Sequence, residues 1–199
     1  ILTIDRLDYT KGIVQRIKAF EIFLDTYPEY LEKVKLTMLS VPSRENVSDY
    51  QNLKKETDEI VGRINGKYST VNWTPISYYY RSMSFDQLIE LYMISDIAMI
   101  TPVRDGMNLV AKEFVAAQDI DDPGVLILSR FAGAAEEMDG ALIVNPYDLD
   151  GMADAMNIAL SMDLSERRSR WIRMIDQLQE CDITRWTNNC VSAIENFDP

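Results

Sequence analysis

The 199-residue chain contains no histidine, and this excludes a Ser-His-Asp triad, a Cys-His dyad and any histidine-ligated metal. Its 2 cysteines, Cys181 and Cys190, stand in a stretch that reads as helix and connector. A reduced pair of ordinary residues fits that setting better than a disulfide or a metal site, and points to the cytoplasm. No apolar run approaches the ~20 residues that span a bilayer, and no signal-peptide pattern opens the chain, so no membrane partner is expected. Glycine is sparse at 8 residues, and the G-x-G-x-x-G turn of dinucleotide-dependent oxidoreductases is absent after Ile1–Asp5. Basic residues are outnumbered, 20 against 32 acidic, for a net charge of -12. A nucleic-acid partner would need a basic stripe, so none is expected. An anionic ligand would have to be held by locally placed cations and backbone donors against the average field. Arg6, Lys11 and Arg44 are the candidates.

What is present is a chain with 47% hydrophobic residues, enough for one domain with a substantial core. Strand-like runs at Ile1–Asp5, Val34–Val41, Val71–Trp73, Ile97–Ile100, Val125–Leu128 and Leu142–Val144 alternate with helical patterns. The helices are expected at about Ile13–Thr26, Asn46–Ile64, Phe85–Ile94, Leu109–Ala117 and Gly133–Met138. One more starts near Asp148, another follows Asp163, whose spacing to Glu166 is capping-box-like, and a last runs from about Thr184 to Phe197. Alternation of this kind predicts an α/β fold with a doubly wound parallel sheet. The methionines at helical spacing read as core filler. Tyr78-Tyr79-Tyr80 reads as a partly buried strand-to-loop segment, and Lys54–Glu56 and Glu166–Arg168 as solvated helix faces. The first residue is Ile1, already inside a strand-like run, which suggests a piece of a longer protein.

Two strand-to-helix junctions carry the chemistry. After Ile97–Ile100 comes Arg104-Asp105-Gly106-Met107-Asn108-Leu109-Val110-Ala111-Lys112-Glu113. A fresh helix start there leaves backbone N–H groups without intrahelical partners, and with the helix dipole they suit phosphate or sugar oxygens. Asp105 can accept from sugar hydroxyls, and Glu113, one turn past Leu109 on the same face, can hold a vicinal diol such as a ribose. The plainer account is also open: Asp105 capping the helix, Gly106 serving the turn and Glu113 merely solvated. After Ile1–Asp5 comes Arg6-Leu7-Asp8-Tyr9-Thr10-Lys11-Gly12, leading into a helix with Ile13, Ile17, Phe20 and Leu24 on its apolar face. Arg6 and Lys11 thus flank a loop at the carboxyl end of a parallel strand, where ligands bind in open sheets. There they could neutralise a diphosphate and stabilise it as a leaving group.

These segments resemble the trehalose-6-phosphate synthases, retaining glycosyltransferases of the two-Rossmann glycosyltransferase-B fold. Pro42-Ser43-Arg44, Gly62–Lys67, Phe131–Ala135 and Leu142–Asp148 extend the resemblance, most loosely after about Arg167. It implies that the chain is the Rossmann-like, donor-binding C-terminal half, without the N-terminal domain that holds most of the acceptor site. Alone it would then be inactive, and its last helix would pack back toward the absent half. The implied partners are UDP-glucose and glucose-6-phosphate, with a homo-oligomer possible in this family; no cofactor and no metal is implied. Carried onto this sequence, Arg6 and Lys11 contact the donor diphosphate, and Asp105 accepts from the donor glucose. The backbone of Gly106, Met107, Asn108, Leu109 and Val110 completes the pocket, and Glu113 takes the ribose. Arg44 reaches the acceptor phosphate, and Met83, in the Arg81–Phe85 loop, offers backbone contacts to the uracil. A non-catalytic regulatory module and a related nucleotide-sugar transferase with another acceptor are the alternatives.

Overall fold

The computed structural model describes residues 1–181 and 183–196, with the backbone alone for Asn189. Six strands form one sheet: β1 (Leu2–Arg6), β2 (Leu36–Val41), β3 (Ile76–Tyr80), β4 (Ile97–Ile100), β5 (Val125–Ser129) and β6 (Leu142–Val144). Their order is β3-β2-β1-β4-β5-β6, and every pairing is parallel. The helices are α1 (Ile13–Thr26), α2 (Ser48–Tyr68), α3 (Phe85–Met93), α4 (Leu109–Ala117), α5 (Leu149–Ser161), α6 (Leu164–Glu180) and α7 (Ile183–Glu195).

The central strands are apolar on both faces because both faces are covered. Ile97, Met99, Val125 and Ile127 pack with α1 and α5 on one side. Ala98, Ile100, Leu126 and Leu128 alternate with them and pack with α4 and α6 on the other. Met38, Met99, Met138, Met152, Met156 and Met174 are all buried, as core filler should be, while Met93 and Met107 are exposed. This is the expected doubly wound α/β sheet.

Three local expectations give way. Residues 71–73 form no strand: Val71 is fully exposed, and Trp73 turns inward with its indole N–H donating to the Val34 carbonyl at 3.2 Å. The strand begins at Ile76, where the side-chain amide of Asn65 both donates to its carbonyl and accepts from its N–H, each at 3.0 Å. Tyr78, Tyr79 and Tyr80 therefore lie within β3, the edge strand beside β2. The predicted helix at 133–138 shortens to a 3₁₀ turn over Gly133–Glu136. Arg167 and Arg168 are not merely solvated: they donate to the carbonyls of Pro123, Ile120 and Asp121, clamping that loop to α6. The predicted extension to Phe197 lies outside the described residues. Asp163 does cap α6, accepting from the Glu166 N–H at 2.9 Å.

A strand order that reverses between β1 and β4 makes their carboxyl ends the topological switch point. The two strands pair only at Leu2 and Ala98, so their ends diverge. Arg16 of α1 fills the gap. Its side chain is 1% exposed, and it donates to Asp5 Oδ2 at 2.7 Å, Thr101 Oγ1 at 3.0 Å and the Lys11 carbonyl at 2.8 Å. Burial pushes the Asp5 carboxyl above its ordinary range, and the adjacent guanidinium opposes that push. Removing one partner of such a pair strands a buried charge. Arg16→Met is expected to lower stability by about 3–5 kcal/mol, read as a lower urea midpoint; an unchanged midpoint would show that the pair contributes nothing net.

Candidate ligand site at the switch point

Three loops meet above the sheet edge, and their backbones hold one another. The loop after β1 turns through a short 3₁₀ segment, Tyr9–Lys11, capped by Asp8, whose Oδ1 accepts from the Thr10 N–H at 2.9 Å and hydroxyl at 2.7 Å. The Thr10 carbonyl accepts from the N–H groups of Val103 at 2.9 Å and Arg104 at 3.2 Å, joining this loop to the one after β4. Gly12 closes the turn at φ 65°, with the Thr101 carbonyl oxygen only 2.3 Å from where a Cβ would stand. Both the left-handed backbone and that close approach demand glycine.

The loop after β5 supports the β4 loop from the other side. Asp105 N–H donates to the Phe131 carbonyl at 3.2 Å, Gly133 N–H to the Asp105 carbonyl at 2.9 Å, and Ala134 N–H to the Met107 carbonyl at 2.7 Å. A Cβ on Gly133 would sit 2.2 Å from the Gly106 carbonyl oxygen. Gly106 itself has open space where a Cβ would be, so the approach to the following amides is clear.

Within this frame the predicted residues assemble around Asp105. Lys11 Nζ lies 2.6 Å from Asp105 Oδ2, with both side chains 16% exposed. Asn108 Nδ2 donates to the same oxygen at 3.1 Å, and the Met107 N–H to Oδ1 at 3.4 Å. Burial pushes the Asp105 carboxyl up, but the Lys11 hydrogen bond and charge, with the Met107 and Asn108 bonds, outweigh it and hold the pKa below its ordinary value. The helix cap is Asn108 rather than Asp105: its Oδ1 accepts from the Ala111 N–H at 3.0 Å, and its backbone is left-handed at φ 78°. A non-glycine residue held there is strained. Asp105 is thereby freed from capping, and the first-turn N–H groups of α4 begin beside an ionised carboxylate and an ammonium group. Met107 and Leu109 are more than half exposed at that helix start, and Val110 is partly covered.

The remaining predicted residues lie on other loops and elements, and none of them bonds to this centre. Arg6 ends β1 at the same edge, exposed and with no side-chain partner among the described residues. Arg44, at φ 47°, donates to the Tyr50 hydroxyl at 3.0 Å. Glu113 accepts from the Tyr92 hydroxyl at 2.8 Å, and burial followed by that bond pushes the Tyr92 pKa up. Met83 packs among the partly buried residues of the α4 side, ahead of Ser84, which caps α3 in a reciprocal box with Gln87. Neither Met83 nor Glu113 bonds to the Lys11–Asp105 centre. A cavity of about 500 Å³ adjoins the turn, lined by Gly106, Met107, Leu109, Lys112, Gly133, Ala134, Glu137, Cys181, Ile183 and Trp186.

Several residues that build the site escaped the sequence analysis: Asp5, Arg16, Asp8, Tyr50, Tyr92, Gly133 and the capping role of Asn108. Arg16 offered a signal, since it sits beside Ile17 on the apolar face of α1, where a charge has no place unless paired. Tyr92 offered none, because its partner Glu113 is distant in sequence, and the bond of Tyr50 to Asp8 is equally non-local.

Comparisons with known proteins cover nearly the whole chain. The profile of Glycosyltransferase family 20 matches residues 1–196. A trehalose-6-phosphate synthase of Sinorhizobium fredii is 50% identical over 194 residues, 98% of this chain. A structure of an α,α-trehalose-phosphate synthase (UDP-forming) from Burkholderia xenovorans in complex with glucose-6-phosphate superposes with a TM-score of 0.95 at 45% identity, covering 98% of this chain and 43% of that one. Another, described as trehalose-6-phosphate from E. coli bound with UDP-2-fluoro glucose, gives a TM-score of 0.96 at 44% identity, over 100% of this chain and 44% of that one. The chain spans 42% of the length of the Sinorhizobium relative. Its sheet is one Rossmann-like half of the glycosyltransferase-B architecture, and no helix among its described residues is long and apolar enough to cross a membrane. By sequence along nearly its whole length and by fold, the chain belongs to glycosyltransferase family 20.

Proposed function

We propose that this chain is the donor-binding half of a cytoplasmic, UDP-forming glycosyltransferase that moves glucose from UDP-glucose to glucose-6-phosphate with retention, giving trehalose-6-phosphate and UDP. One observation carries the reading: Lys11, Asp105 and the Met107 N–H just ahead of α4 meet at the switch point, with Arg6 ending β1 at the same edge. An ammonium and a guanidinium group answer a diphosphate. An ionised carboxylate beside the start of a helix answers sugar hydroxyls, and Glu113, oriented by Tyr92, answers the ribose diol.

In the bound state Lys11 exchanges part of its contact with Asp105 for the diphosphate, leaving Asp105 to accept from the glucose. The anomeric C1–O bond to the phosphate breaks while the acceptor hydroxyl attacks on the same face. The proton of that hydroxyl passes to the departing phosphate oxygen. The protein's part is to position both substrates and to stabilise the charge growing on the leaving group. Arg44 meets the acceptor phosphate, and the backbone around Met83 meets the uracil. The portion that the relatives have in addition supplies the rest of the acceptor site. Helix α7 supports such a partner half, since Ile183, Trp186, Val191 and Ile194 leave an apolar stripe 47–75% exposed.

Lys11→Ala in the protein at its relatives' full length is expected to lower turnover by about 10²–10³-fold, the cost of one electrostatic donor in a preorganised site. Near-normal turnover would remove the electrostatic role. The 199-residue chain is expected to bind UDP weakly but measurably by isothermal titration calorimetry. No detectable heat would favour a non-catalytic module. The lowered Asp105 pKa also sets a pH window. Because the folded value lies below the unfolded one, the Lys11–Asp105 contribution to stability is complete above the unfolded pKa of about 3.9. It fades as the pH falls from there through the folded value. A plot of stability against pH for Lys11→Met should accordingly converge on that of the parent only in acid.

A further inference from the structure

Arg44 is exposed, but its guanidinium is tethered. Its guanidinium donates to the Tyr50 hydroxyl at 3.0 Å and lies 5.6 Å from the centre of the Tyr50 ring. That hydroxyl donates in turn to Asp8 Oδ2 at 3.0 Å. Asp8 uses its other oxygen to cap the turn that presents Lys11, through the Thr10 N–H and hydroxyl. Tyr50 is 4% exposed, with Tyr9 edge-on to its ring at 5.8 Å. A buried phenol whose oxygen serves one donor and whose proton serves one acceptor has a single satisfied orientation. Arg44 meanwhile sits at φ 47°, a left-handed backbone that a non-glycine residue keeps only where its surroundings over-determine it.

We infer that Tyr50 and Asp8 are positioning residues that hold the Arg44 guanidinium ready for the acceptor's phosphate and tie it to the loop carrying Lys11. The inference rests on the reading of Arg44 as the acceptor-phosphate ligand. The two anion-binding cations, one from the loop after β1 and one from the loop after β2, are then set at a fixed separation by one polar strut. Neither strut residue touches substrate. Their contribution is confined to how well Arg44 is preorganised, and so to how strongly the phosphate of the acceptor is rewarded over a bare sugar.

The test uses the protein at its relatives' full length and compares glucose-6-phosphate with unphosphorylated glucose as acceptor. Tyr50→Phe keeps the ring packing and removes the hydroxyl. It is expected to lower the kcat/KM preference for the phosphorylated acceptor by about tenfold, the scale of one hydrogen bond to a charged group. The KM for UDP-glucose should change by less than about twofold, since the donor cations are untouched. Should Tyr50→Phe fold poorly, Asp8→Asn provides the second arm. It retains an oxygen to cap Thr10, leaves the Tyr50 proton without its acceptor, and should reduce the preference in the same direction. An equal fall with both acceptors, or a fall in kcat alone, would mark a scaffold role and overturn the inference. So would an unchanged preference where Arg44→Gln abolishes it. If Arg44→Gln itself leaves the preference intact, the reading of Arg44 fails first, and the two failures are told apart.

Discussion

The site depends on a buried ion pair. Asp5 and Arg16 are almost wholly shielded from water, and desolvating two charges is costly unless each is fully bonded. Arg16 meets that condition by also donating to Thr101 and to the Lys11 carbonyl. The pair is therefore less a source of stability than a source of definition. It joins the end of β1, the end of β4, the first turns of α1 and the loop that carries Lys11, and in that geometry each nitrogen of the guanidinium finds an acceptor. An apolar filler of the same size could pack the gap, but it would specify no such junction.

Upon that junction the three loops are also assembled by backbone bonds. The β1 loop accepts from Val103 and Arg104, and the β5 loop exchanges bonds with Asp105 and Met107. Such close approach explains why glycine stands at 12 and at 133, where a methyl group would strike a carbonyl oxygen. Left-handed backbone gathers at the same edge, at Gly12, Arg44 and Asn108, with Glu32 the one non-glycine example elsewhere among the described residues. Strain concentrated at one edge is what preorganisation of a site costs. Asn108 shows the benefit: by taking over the helix cap, it leaves the Asp105 carboxylate to the Lys11 ammonium group.

Much of the fold was legible because buried parallel strands and amphipathic helices announce themselves locally. β4 and β6, α1 and α4 begin and end where apolar run and period place them. The errors fell where a distant group decided. Residues 71–73 look like a strand, yet Trp73 bonds to the Val34 carbonyl, and β3 starts instead at Ile76, held by the Asn65 amide. Arg167 and Arg168 look solvated, yet a loop some 45 residues earlier offered them carbonyls. Of the site, the residues with chemistry visible in their type, Arg6, Lys11, Asp105 and Glu113, could be named from strand ends and helix starts. Those that orient them could not.

By itself the sequence determined the α/β class, the parallel sheet and the two strand-to-helix junctions at which chemistry would occur. These follow from hydrophobic period and turn residues, which act over a few positions. The tertiary structure alone decided that the junctions face each other across the reversal in strand order. It likewise decided that Lys11 meets Asp105 across 94 residues of chain and that Arg44 is held through Tyr50 and Asp8. Hydrogen bonds and ion pairs of that span leave no periodic trace, because they depend on where strands are laid side by side rather than on what stands next in the chain.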